Sequence, residues 1–149
     1  MIQLNKLTLH VLVILLSFFQ TSCNTDDDVP DDSNAVCEGA ICTAIFVRIN
    51  VSVMDGNQNP VALDSFTVTN LANGSDMTIA LSPEELEGAR ETGLYPLTED
   101  GVLDVNEERE IQFRGFINSQ EVLSNKYTVS TDCCHVGLDA GVQEIVLSM

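Results

Sequence analysis

The chain has 149 residues, enough for one domain with a buried core, and carries 23 acidic against 6 basic side chains, a formal charge of −17. That balance excludes nucleic acid as a partner, because binding phosphates depends on clustered Lys and Arg. Anionic lipid headgroups are equally poor partners, so any attachment to a membrane has to come from something other than charge.

Residues 1–6 carry one positive charge, Lys6, and no acid; residues 7–19 are then apolar apart from Thr8, His10 and Ser17. The run is too short to span a bilayer, which takes about 20 apolar residues. A cationic start, a short apolar core and the small residues Thr21 and Ser22 ahead of Cys23 predict an export signal over 1–22. This stretch resembles the lipobox of bacterial lipoproteins, with Gln20 where the commonest pattern has Leu. The resemblance implies that Cys23 is acylated and becomes the N-terminus of the mature protein, moored by several acyl chains where one alone would bind only marginally. The competing reading is an ordinary secretory signal cut near Ser22, which would leave Cys23 an odd thiol in an exported chain.

Loss of 1–22 leaves 5 basic and 23 acidic side chains, a formal charge of −18. Residues 24–34 then hold five carboxylates, one Val and no aromatic residue. They cannot form a core, and predict a disordered acidic linker over 23–35, extended by self-repulsion. Acids close behind a lipidated cysteine resemble the sorting signal that sends some lipoproteins to the outer face of the outer membrane. The location expected is therefore the outer membrane, on its surface or its periplasmic face.

The 114 residues from 36 to 149 predict a single antiparallel β-sandwich of about seven strands with one short helix. Over 45–53 the odd positions Ile45, Val47, Ile49, Val51 and Val53 are β-branched and apolar, and the even ones mostly polar, the mark of a half-buried strand. It ends at the turn cluster Asp55-Gly56-Asn57. A second strand follows Pro60 through Val61, Leu63, Phe66 and Val68, and Asn73-Gly74 predicts a hairpin into a third over 77–81. Ser82-Pro83-Glu84-Glu85 places a capping serine, a first-turn proline and a glutamate three after the cap, predicting one or two helical turns kept short by Gly88 and Gly93. Residues 95–97 read as an edge strand around Pro96, residues 110–117 and 121–130 as a hairpin, and residues 141–149 as the last strand.

This outline resembles the immunoglobulin-like and transthyretin-like sandwiches of exported bacterial accessory domains. The turn from Asp55 to Val61 is similar to the opening hairpin of carboxypeptidase-regulatory-like domains, and the stretch from Tyr127 to Val136 to the C-terminal part of small uncharacterised Gram-negative envelope lipoproteins. That last resemblance implies no established activity.

With Cys23 lipidated, Cys37, Cys42, Cys133 and Cys134 remain, and an oxidising compartment favours disulfides. A bond between Cys133 and Cys134 is disfavoured, since consecutive Cα atoms lie 3.80 Å apart, short of the usual disulfide range. Each should therefore reach a different partner upstream. Nesting, Cys37 with Cys134 and Cys42 with Cys133, is preferred as the pattern of two antiparallel ends; the crossed pairing is the alternative. Each loop so closed holds roughly 90–100 residues and would add about 4–5 kcal/mol in the chain-entropy model.

The competing use of these cysteines is a zinc or redox site with His135. The four residues between Cys37 and Cys42 sit at the limit of metal-site spacing, and no Cys-x-x-Cys occurs. No metal or cofactor is implied. His135 is the one histidine left once His10 departs with the signal, so any Ser-His-Asp system would need it; it reads as a structural histidine beside a bridge. Residues 99–104 are similar to part of a calcium loop, but Pro96 and Thr98 occupy earlier ligand positions, so the segment reads as a solvated turn. No nucleophile elbow, phosphate loop or His-Glu-x-x-His is present.

The function expected is that of a lipid-anchored envelope protein, a non-enzymatic binding or structural subunit whose partner is another envelope protein or a glycan. The alternatives are a calcium- or glycan-binding surface module and an enzyme with an unrecognised site.

Overall fold

The computed structural model describes residues 37–148. The export signal over 1–22, the acidic linker over 23–35 and Cys23 itself lie outside the described residues. Seven strands and one helix follow in the order β1 (Arg48–Asp55), β2 (Ser65–Asn70), α1 (Pro83–Thr92), β3 (Leu94–Glu99), β4 (Glu108–Ile117), β5 (Gln120–Thr131), β6 (Val136–Ala140) and β7 (Glu144–Leu147). They form a three-stranded sheet, β3-β1-β7, and a four-stranded sheet, β2-β4-β5-β6, in a sandwich-like arrangement around one core.

Alternation decides which side chains enter that core. Ile49, Val51 and Val53 of β1 are buried while their neighbours are not, and Ile111 and Phe113 of β4 and Tyr127 and Val129 of β5 alternate into the core in the same way. Phe66 stacks on Phe113 with ring centroids 5.6 Å apart and meets Tyr95 at 5.8 Å. The periodicity over 45–53 overreaches at its start. Ile45 and Phe46 are exposed and precede the strand, because Val47 already donates its N–H to the Asp100 side chain.

Four features depart from the strand plan read off the sequence. Residues 77–81 form no strand, although Asn73-Gly74 does turn the chain; Met77 donates to Val68 O, but bridge pairing with β2 is limited to an isolated Thr69–Asp76 pair. Thr78 replaces further ladder bonds with its own hydroxyl, which accepts from Val68 N and donates to Asp76. In its place β6, missed in the sequence, pairs with β5. The helix is ten residues long and runs through Gly88 to end at Gly93. Lastly, β7 lies parallel to β1, so the domain is not wholly antiparallel.

The direction of β7 has a mechanical cause. β5 and β6 are antiparallel, and after β6 the chain does not reverse; it changes sheets through Gly141, Val142 and Gln143 and continues the same way. Tyr127 donates its hydroxyl to Val142 O at 2.8 Å, and Gln143 O accepts from Ser52 N at 2.7 Å, which pin the crossing. Burial pushes the Tyr127 hydroxyl up to about 12, so it stays a neutral donor.

Candidate functional site

The densest set of side-chain chemistry lies at one end of the two sheets, where residues 37–47 cross the loops after β3 and β5. Cys37 bonds to Cys133 and Cys42 to Cys134, with Cα atoms 5.4 Å and 5.2 Å apart. The bridges are crossed, which corrects the nested pairing preferred on sequence grounds. Nesting assumes that the two cysteine segments run antiparallel. Here Cys37, Cys42 and Thr43 meet Cys133, Cys134 and His135 in ascending order, so the segments run the same way. A tight turn, in which Ala40 N donates to Cys37 O, lets five steps of one segment match one step of the other.

Asp100, just beyond β3, is the hub of this end. Its Oδ2 accepts from Val47 N at 2.8 Å and meets His135 Nδ1 at 2.9 Å, while its Oδ1 accepts from Val136 N at 2.8 Å. Bonding by Val47 N–H first, then His135 and Val136 N–H, holds the Asp100 carboxyl below the usual carboxylate range. Asp132 acts similarly, accepting from the backbone N–H groups of Cys134 and His135 through Oδ1; these donors, His135 first, lower its pKa too. Two aspartates thus shape the loop that carries two of the bridged cysteines.

His135 completes a chain of contacts, its Nε2 lying 2.9 Å from Thr43 Oγ1. With the Nδ1 proton on the carboxylate side, Nε2 is the acceptor for the Thr43 hydroxyl. Hydroxyl, imidazole and carboxylate then stand in the order of a hydrolytic triad. A cavity of about 120 Å³ is walled by Asp100, Leu103, Val105 and His135 together with both bridged cysteines of the loop, and Thr43 is not among its walls. Both Asp100 oxygens, moreover, are engaged by backbone N–H groups that join the N-terminal segment to β6. The contacts act as a clasp.

The segment with a partial likeness to a calcium loop is likewise tied to protein groups. Glu99 Oε2 pairs with Arg48 Nε at 2.6 Å, and Glu107 accepts from Asp104 N at 2.9 Å. Among the described residues no group of three or more His, Cys, Asp or Glu side chains could hold a metal ion. The solvated turn expected over 99–104 is therefore in part a structural joint at Asp100, signalled in the sequence only by an Asp-Gly pair after a strand.

Elsewhere, a cleft of about 310 Å³ runs along the outer side of β1 and β7, lined by Ser52, Met54, Gln58, Glu144, Ile145 and Val146. The end opposite the bridges carries two rigid turns. Asp55 Oδ1 accepts from Asn57 N and Asn59 N, and Asp64 Oδ2 accepts from Asn118 N in the β4–β5 turn. No family model matches the chain, and no curated protein or solved structure matches it. Among the described residues no helix is long and apolar enough to cross a membrane.

Proposed function

We propose that this is a lipid-anchored protein of the Gram-negative outer membrane, a non-enzymatic binding or structural subunit built on a β-sandwich of the immunoglobulin-like or transthyretin-like kind. The observation that carries the reading is the division of the cysteines. Of five in the chain, four are bridged in pairs within the domain, which leaves Cys23, directly behind the apolar run and Ser22, as the residue for acylation. Two disulfides also suit an oxidising compartment outside the cytoplasm.

In this reading acyl chains on Cys23 moor the protein, and the acidic stretch after it is a spacer that leads along the chain into the bridged end at Cys37. The opposite end presents the Asp55 turn and the 118–119 turn to a partner, another envelope protein or a glycan, from a rigid scaffold. Replacing Cys23→Ser should abolish incorporation of labelled fatty acid and release the protein to the soluble fraction. Unchanged labelling would refute the anchor. Crosslinking in intact cells, with identification of what is captured, tests the binding role; protease access in the same cells tells the outer surface from the periplasmic face.

A further inference from the structure

The bridged end carries apolar side chains that the fold leaves in solvent. Ile41 is 96 % exposed, Ile45 66 % and Phe46 61 %, and Val105, two residues before Glu107 at the same end, is 46 % exposed. Exposed apolar groups at a frayed terminus would mean little, but this segment is fixed. Cys42, next to Ile41, is bridged to Cys134; Thr43 is held by His135; Val47, next to Phe46, is held by Asp100. The three side chains are thus displayed on a frame that cannot fold over to cover them.

We propose that this rim is a second membrane contact, in which Ile41, Ile45 and Phe46 enter the interface of a bilayer with electrically neutral headgroups. The inference rests on the anchor reading for its occupant. Only 14 residue steps separate Cys23 from Cys37, a reach of at most about 50 Å fully extended, and the rim begins four residues later. The end that the tether enters is the end that bears the apolar residues. Charge selects the lipid. Residues 37–47 hold Glu38 and no Lys or Arg, and the chain from Cys23 onward has a formal charge of −18, so anionic headgroups would repel it. Attraction then comes from buried apolar area, and tethering makes even a weak contact persist by raising its local concentration. Partial entry of the rim would hold the domain upright, with the Asp55 and 118–119 turns farthest from the lipid.

The chain contains no Trp, so Phe46→Trp supplies a single reporter. The protein from Cys23 onward, which includes every described residue, is coupled through the Cys23 thiol to a maleimide phospholipid in phosphatidylcholine vesicles. Attachment then does not depend on whether the cell acylates Cys23. Brominated acyl chains should quench the indole at position 46, and its emission should shift to shorter wavelength. Adding Ile41→Ser and Ile45→Ser should remove most of that quenching, and so should replacing half the lipid with phosphatidylglycerol. A control protein, Val122→Trp with Phe46 restored, carries its reporter beside the 118–119 turn at the far end and should stay unquenched. An indole at position 46 quenched no more than the one at position 122 overturns the proposal. So does an indole at position 46 that is sheltered by self-association without lipid. The mass of Cys23 in protein made by cells decides the anchor reading separately.

Discussion

Asp100 shows how one side chain can organise a whole end of a domain. It joins the residue before β1, the residue that opens β6 and the imidazole of His135. Asp100→Ala should therefore lower the thermal midpoint more than Thr43→Ala, which removes only the outermost contact of the clasp. Because the folded state holds the Asp100 and Asp132 carboxyls below their ordinary 3.8, the unfolded chain binds more protons near that pH. The stability they confer is complete above about pH 4 and is lost as pH falls through the folded values. Urea midpoints measured between about pH 4 and pH 2.5 should fall steadily, and less steeply in Asp100→Asn; an equal slope in the two proteins would show that this carboxylate is not responsible. Tyr95 is a buried counterpart. Its hydroxyl accepts from Leu63 N at 2.7 Å and donates to Val61 O at 2.9 Å, so Tyr95→Phe orphans two backbone groups and should cost about 1–3 kcal/mol in chemical unfolding.

At the scale of elements, α1 is the clearest case of local chemistry deciding local structure. Ser82 Oγ accepts from Glu85 N, and Glu85 Oε2 accepts from Ser82 N, the reciprocal pair that the spacing of serine and glutamate predicts. Ser82→Ala should cost about 1 kcal/mol. The other end of the helix answers to tertiary structure as well. Gly93 has φ of 70°, and a Cβ there would lie 2.6 Å from Val53 O, which also explains why β1 and the helix end can approach so closely. Gly93→Ala combines backbone strain with that clash and should cost about 2 kcal/mol or more, clearly exceeding the serine change. A smaller effect than Ser82→Ala would mean the approach relaxes freely. Residues 77–81 fail as a strand although β2 is an edge strand with one side free, because the Thr78 hydroxyl takes the Val68 N–H that a ladder carbonyl would otherwise accept. Alternation and turns describe what a segment can do, but a side chain that captures the partner's backbone group can stop a ladder from extending.

For the whole molecule, the crossed bridges make a quantitative expectation that nested loops counted singly would miss. Their closures span 96 and 92 residues, each about 4–5 kcal/mol in the chain-entropy model if formed alone. With one bridge present, the second closes only a short circuit through the neighbouring cysteines, which contributes roughly 2 kcal/mol. Removing either pair by Cys→Ser should therefore cost about 2 kcal/mol, and removing both about 7, far more than twice the single loss. Additive losses in urea unfolding would sink this picture of shared closure. Intact-mass measurement without reductant should find all four of these cysteines bonded.

The alternation of β1, the capping of α1, the edge placement of the Pro96 strand and the β4–β5 hairpin were open to reading because each depends on residues within a few positions of one another. That four cysteines would join the start of the domain to its end followed from the 3.80 Å limit on neighbouring Cα atoms. Which would pair with which did not, since the order depends on whether two segments more than 90 residues apart run together or opposed. Beyond an Asp-Gly pair after a strand, Asp100 gave no local sign of its role for the same reason: its donors, Val47 and Val136, lie on segments that only the closed sandwich brings to it. The parallel seat of β7 was decided by the chain crossing between sheets without turning back, which no pattern within the strand records. Local periodicity is written along the chain; direction and partnership between distant segments exist only once the core has closed.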